Sequence, residues 1–71
     1  MITFVIDSSN EGIEIVLNDQ GMKDLLEYLS FIKNNQDHIH LLIGNELDSQ
    51  PNPDNNRIVK HVKITYIESE E

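Results

Sequence analysis

The spacing of apolar residues changes along this 71-residue chain, and that change limits the folds it can adopt. Apolar residues alternate with other residues over 2–6 and 13–17, which is the period of a strand with one buried face. Alternation returns over 38–43 and 57–67. Between the two pairs, apolar residues recur at spacings of three and four, which predicts one helical stripe: Met22, Leu25, Leu26, Leu29 and Ile32.

Turn and cap residues separate these segments. The segment from Asp7 to Gly12 has the composition of a turn, so the first two strands should form a hairpin. Asn18 or Asp19 can cap the helix, and residues 34–37 end it. We therefore predict an α+β fold of order ββαββ, a four-stranded, mostly antiparallel sheet with one helix packed on one face. A single domain should cover 1–67, followed by an acidic, frayed tail at 68–71.

Length and composition exclude several classes of protein. A chain of this size buries only about 60% of its unfolded surface, so its core is thin. It has no cysteine, and therefore neither a disulfide nor a thiolate ligand or nucleophile. No basic leader and no apolar run of about 18 residues is present, so we expect a cytoplasmic protein that does not bind membranes.

The net charge of −8, from 13 acidic and 5 basic residues, restricts the partners. A field of this sign repels nucleic acid, which we exclude as a partner. It speeds encounter with a basic protein, although it also simply favours solubility. A protein partner is therefore the expectation.

Catalytic motifs are missing from the sequence. The three glycines are scattered rather than grouped in a phosphate-binding loop. None of the serines lies in a nucleophile elbow, and the predicted strand faces bring no serine beside a histidine. We expect neither an enzyme nor a bound cofactor.

The predicted sheet has one face that the helix does not cover. Alternation places His38, His40 and Leu42 on that face of the third strand, and His61 on that face of the fourth. It places seven further residues outward as well: Thr3, Val5, Glu14, Val16, Val59, Lys63 and Thr65. Such a mixed apolar and polar face predicts a protein interface, either with a partner or with a second copy of the chain.

The three histidines have an alternative interpretation. If Ile43 pairs with Ile58, His40 lies directly opposite His61. His38, His40 and His61 would then resemble the ligand set of a zinc site. The sequence offers no identifiable hydrogen-bond acceptor behind these rings, so a metal site is kept only as the alternative.

A segment of 13 residues, 44–56, joins the last two predicted strands. Hairpin loops usually have about 2–5 residues, and longer loops are commonly functional or disordered. This loop carries the acidic residues Glu46, Asp48 and Asp54. We include them in the predicted partner-binding surface, because loops on a rigid scaffold often make contacts.

A succession of short motifs resembles one family. Gly21-Met22 with Leu25 and Leu29 is followed by His38-Ile39-His40-Leu41-Leu42, then by Glu46-Leu47, and finally by Val62-Lys63-Ile64. This pattern, spread over about residues 12–67, is similar to the bacterial immunity proteins of polymorphic-toxin systems numbered thirty-two.

The resemblance implies a small cytoplasmic protein that binds and neutralises a cognate toxin domain. It carries over four positions as functional: His38, His40, Glu46 and Leu47. A basic toxin domain would suit the acidic charge. The complete predicted partner-binding set is His38, His40, Leu42, Glu46, Leu47, Asp48, Asp54 and His61, with no catalytic residue assigned.

Overall fold

The computed structural model describes residues 1–68 and contains one helix and five strands. In chain order these are β1 (Ile2–Ile6), β2 (Ile13–Leu17), α1 (Asp19–Asn35), β3 (His38–Leu42), β4 (Arg57–Ile58) and β5 (His61–Thr65). The predicted α+β class and the position of the helix are confirmed. Of the predicted tail, Glu68 is exposed, and 69–71 lie outside the described residues.

The strands form two sheets rather than one. The first sheet has the order β2-β1-β4, and the second pairs β3 with β5, with every pair antiparallel. The predicted single four-stranded sheet is therefore wrong. Consecutive residues join the two sheets: the amide of Val59 donates to the carbonyl of Phe4 in β1 at 2.9 Å, and the carbonyl of Lys60 accepts from the amide of Ile43 after β3 at 3.1 Å.

The division arises within the last predicted strand. Val59 and Val62 both pack against the core, although a regular strand would turn residues three apart to opposite faces. The backbone therefore changes partner between them. Residues 57–59 bond to β1, with the amide of Val59 donating to the carbonyl of Phe4 at 2.9 Å, and residues 61–65 pair with β3.

This change of partner corrects two predicted orientations. Val59 was expected to face outward but packs on the core. Ile58, which alternation with the outward Val59 would turn towards the helix, instead lies directly opposite Val5. Val5 is on the other face of β1 from Phe4, so Ile58 also lies away from the core cluster.

Strand β1 is buried on both of its faces. Ile2 and Phe4 join Leu41 and Leu47 in the core, while Thr3 and Val5 on the opposite face are both 0% exposed. The expectation that Thr3 and Val5 face outward to solvent is therefore wrong.

The long loop explains the burial of that face, because it folds back along β1. The amide of Asp48 donates to the carbonyl of Ile2 at 2.7 Å, and Thr3 Oγ1 donates to the carbonyl of Gln50 at 2.9 Å. The first bond lies along the edge of β1 that β2 leaves free. The β1 part of the face predicted to be open is therefore closed by the chain itself.

Helix α1 begins and ends at residues suited to those positions. The Oδ1 atom of Asn18 accepts a hydrogen bond from the Gly21 amide at 2.8 Å, which satisfies one free donor of the first turn. Gln36 takes the left-handed conformation at the C-terminus and donates its amide to the carbonyl of Ile32. In the described part of the chain, no helix is long and apolar enough to cross a membrane.

The helix buries only part of its predicted apolar stripe. Ile32 is buried, and Leu25 and Tyr28 pack against the core, but Met22, Leu26 and Leu29 are exposed. Gly21 fixes this orientation, since it lies against the backbone of Met1. A Cβ atom at position 21 would clash with the carbonyl oxygen of Met1.

We predict that Gly21→Ala destabilises the protein by about 1–3 kcal/mol, because the added methyl group meets backbone that cannot move cheaply. The sign is informative, since alanine within a helix is otherwise favoured over glycine by about 1 kcal/mol. Urea unfolding measures the change. Ser30→Ala, on an exposed part of the same helix, is the control and should be neutral or slightly stabilising. A stabilising Gly21→Ala would contradict the close helix–strand contact.

Candidate functional site

Six exposed side chains form one outward surface of the β3–β5 sheet, which we call the histidine face. Its members are His38, His40 and Leu42 on β3, and His61, Lys63 and Thr65 on β5. Each residue of β3 is opposed by one of β5, and opposed residues share a face. The three histidines therefore come together, as alternation predicts.

The register differs from the expected one. His40 lies opposite Lys63, and Leu42 lies opposite His61, so the predicted direct pairing of His40 with His61 is wrong. The shift amounts to two residues, which preserves the face of every side chain. His40 and His61 become diagonal neighbours, a separation that aromatic rings can bridge.

The imidazole rings contact one another. The rings of His40 and His61 are stacked, with centroids 5.0 Å apart, and the Nδ1 atom of His40 lies 2.7 Å from the Nε2 atom of His61. One of these nitrogens donates and the other accepts. His38 meets His40 edge-on at 5.0 Å, and its Nδ1 lies 2.9 Å from an Asp37 carboxylate oxygen. The rings thus form a row with one acidic end.

The environment of the row disfavours protonation of its central ring, His40. Desolvation is the largest cause that lowers the pKa of His40 below 6.5, and the charges of His61, His38 and Lys63 lower it further. His40 is therefore neutral at neutral pH, with one nitrogen donating and one accepting. At this position the face presents a polar ring without a charge.

The geometry does not favour the alternative metal site. Two nitrogens bound to one tetrahedral zinc ion lie about 3.3 Å apart, since each zinc–nitrogen bond is about 2.0–2.1 Å long. The 2.7 Å between His40 and His61 is instead a hydrogen-bond distance. Within residues 1–68, no group of three or more His, Cys, Asp or Glu side chains is placed to hold a metal ion.

Glu46 and Leu47 shape the turn after β3. The Glu46 Oε1 atom accepts from the Leu42 amide at 3.0 Å, and the Leu47 amide donates to the Leu42 carbonyl, also at 3.0 Å. Leu47 is 1% exposed and belongs to the core, so its side chain cannot reach a partner in this structure. These two motif residues support the end of the strand that carries the histidines.

The other two acidic loop residues have different surroundings. Asp48 is fixed to β1, because its Oδ2 atom accepts from the Ile2 amide at 3.1 Å. Asp54 is exposed in a turn between Asn52 and Asn55. Among the described contacts, the other three predicted partner-binding residues of the loop each have a core position or a bond to the β1 or β3 backbone. Asp54 has neither.

Sequence reasoning missed an acidic group whose charges act together on one phenol of α1. Desolvation raises the pKa of Tyr28, and the charges of Asp24, Glu46 and Glu27 raise it further. Tyr28 itself packs against the core. The spacing of Asp24, Glu27 and Tyr28 on one helix was visible in the sequence, but the approach of Glu46 was not.

A cleft of about 290 Å³ lies away from the histidine face, at the turn between β1 and β2, where Asn55, Asn56 and Arg57 also line it. Its carboxylate is already occupied, since Asp7 Oδ1 accepts from Ser9 Oγ at 2.6 Å and from the Ser9 amide at 3.1 Å. The Ser9 hydroxyl is the largest cause that lowers the pKa of Asp7. These hydrogen bonds of Asp7 shape the turn that lines the cleft.

Comparison of the chain with family models, with curated proteins and with solved structures found no match. The resemblance to immunity proteins therefore stays a prediction from the motifs.

We predict that the free energy of unfolding separates the motif residues into two groups when they are mutated, one that supports the fold and one that is only exposed. Leu47→Ala should reduce the free energy of unfolding by about 2–5 kcal/mol, because it leaves a cavity in the core. His38→Ala, at an exposed position, should change it by no more than about 0.5 kcal/mol. Urea unfolding of both variants measures these values, and similar losses would contradict the division.

We predict that the His40 ring titrates below 6.5 and that His61→Gln moves its midpoint upward, since a ring and its charge are removed. The unfolded chain accepts this proton more readily than the folded protein does. The contribution of the neutral His40 ring to the free energy of unfolding is therefore fully present above about pH 6.5. It is lost as the pH falls towards the lower pKa that His40 has in the folded protein. Proton NMR of the imidazole gives the midpoint, and a value at or above 6.5 would contradict the crowded row.

Proposed function

We propose that this chain is a protein-binding domain of the immunity type, which neutralises a cognate toxin domain in the cytoplasm by covering it with the histidine face. The observation that carries the proposal is the contrast between two parts of the surface predicted to be open. On β1 the long loop closes that surface, and Thr3 and Val5 are fully buried. On β3 and β5 the six side chains stay exposed.

The composition of the histidine face suits a protein partner. Imidazole rings combine an apolar body with polar edges, and Leu42 adds an aliphatic contact at the end of the row. The rings are held by their neighbours, so little side-chain freedom is lost on binding. A small, pre-ordered group of amphipathic rings is the kind of centre around which protein interfaces are built.

The distribution of charged residues supports different roles for the histidine face and the rest of the molecule. The histidine face carries Lys63 and, beside His38, the carboxylate of Asp37. Most of the net charge of −8 therefore lies elsewhere, including the acidic group of Asp24, Glu27 and Glu46. The overall field would speed the approach of a basic toxin domain, while the face would supply the short-range contacts.

The motif residues are consistent with this proposal in two ways. His38 and His40 are exposed, as contact residues must be. Glu46 and Leu47 fix the turn that ends β3, and so hold the strand that presents those histidines.

The test is capture of the partner from a lysate of the source organism that contains the products of the neighbouring genes. The immobilised protein is loaded at low salt, eluted with rising salt and analysed by mass spectrometry. We predict one retained basic protein, and binding at least about tenfold weaker for the His40→Ala/His61→Ala double variant, which corresponds to about 1.4 kcal/mol.

Glu11→Ala, an exposed change in the β1–β2 turn, is the control and should bind as the unchanged protein does. Added protein should also suppress the activity of the captured toxin domain. Equal capture by the double variant would show that the histidine face is not the interface. If no basic protein is retained, the immunity function itself is contradicted.

A further inference from the structure

A second exposed surface lies on helix α1, and we call it the outer stripe. It consists of Asp19, Met22, Leu26, Leu29 and Lys33, all exposed and spaced alternately by three and four residues. This spacing places all five along one line of the helix, as in the contact line of a coiled coil. The three apolar members are 49%, 59% and 39% exposed, so the fold leaves a ready-made helix-packing line without a partner in residues 1–68.

Strand β2 exposes two further apolar residues on the face of the sheet that α1 contacts. Ile13 and Ile15 share a face with Leu17, which packs on the core, yet they are 64% and 47% exposed. That face is also the one from which α1 contacts the sheet, because Ile15 lies opposite the core residue Phe4.

These five apolar side chains on α1 and β2 are at least 39% exposed, whereas single, scattered apolar residues are the usual case on a monomer. A specific interface buries at least about 1,000 Å² in total, so a surface that pairs with its own copy needs to supply only about half of that.

The ends of the outer stripe carry opposite charges. Asp19 lies in the first turn of α1 and Lys33 in the last, with the apolar residues between them. Neither forms an ion pair within residues 1–68, where the recorded pair is His38 with Asp37. Two copies of α1 packed antiparallel would bring each Asp19 towards the Lys33 end of the other helix, whereas parallel packing would bring like charges together.

We propose that a second copy of this chain covers the outer stripe, with the two α1 helices packed antiparallel about a two-fold axis. A two-fold interface requires one patch that is complementary to itself. An apolar centre with opposite charges at its ends meets this requirement, and the antiparallel arrangement also opposes the helix dipoles favourably.

The dimer would leave the proposed partner surface free. Helix α1 packs on the side of β3 that carries Ile39 and Leu41, and the histidines point to the other side. The dimer proposal therefore stands on a different surface and does not depend on the immunity function.

Sedimentation equilibrium over a wide concentration range tests the proposal at about 0.15 M salt, which screens the repulsion between two copies of charge −8. The unchanged protein should show a monomer–dimer equilibrium, and Leu26→Glu should weaken it by about tenfold or more, because a charge enters the apolar centre. Phe31→Glu is the matched control, since Phe31 is 52% exposed on another side of the same helix. It should leave the dimer unchanged.

Exchanging the end charges tests the antiparallel arrangement. Asp19→Lys alone and Lys33→Asp alone should each weaken the dimer, and the two together should restore it. The melting temperature of each variant, measured at a concentration where it is monomeric, confirms that the fold is kept. A monomer at every concentration, a dimer unaffected by Leu26→Glu, or equal weakening by Phe31→Glu would overturn the proposal. Failure of the double exchange to restore the dimer would overturn the antiparallel packing.

Discussion

Strand β1 is bonded along both edges and buried on both faces, and the remaining structure is arranged around it. One edge pairs with β2, and the other bonds in turn to Asp48 and to residues 57–59. Each fully buried aliphatic side chain contributes about 1.5–3 kcal/mol, which matters in a chain with so thin a core. The long loop is therefore part of the fold, because it supplies Leu47 to one side of β1 and the Gln50 carbonyl to Thr3 on the other.

The spacing of the apolar residues predicted the helix and most of the strands, because it indicates which residues share a face. It placed the β1–β2 hairpin, the helix and β3 within a few residues of their observed bounds. It did not report what covers a face, and so it left Thr3 and Val5 exposed. Residue spacing did contain one unused signal: Val59 and Val62 are three apart, which a single regular strand cannot bury on one side.

The same limits apply to the candidate site. The outward positions of His38, His40, Leu42 and His61 could be predicted, because an error of two residues in register keeps every side chain on its face. The burial of Leu47 could not, since it depends on a loop returning to β1. The rotation of α1 about its own axis could not be predicted from the sequence either. The apolar stripe was broad enough for two packing directions, and the contact of Gly21 with the Met1 backbone selects one of them.

The fold thus leaves two exposed surfaces on different sides of the molecule. One is the sheet surface that the loop does not close, and the other is the half of the helix stripe that Gly21 turns away from the core. The loop determines the extent of the first surface and also supplies Leu47 to the core, so its ordered position along β1 is the central claim. Amide hydrogen exchange of the Asp48 N–H tests it most directly. The account predicts that this amide exchanges orders of magnitude more slowly than that of Asp54 in the exposed turn, at a rate close to those of the β1–β2 amides. Equal, fast exchange at Asp48 and Asp54 would contradict it.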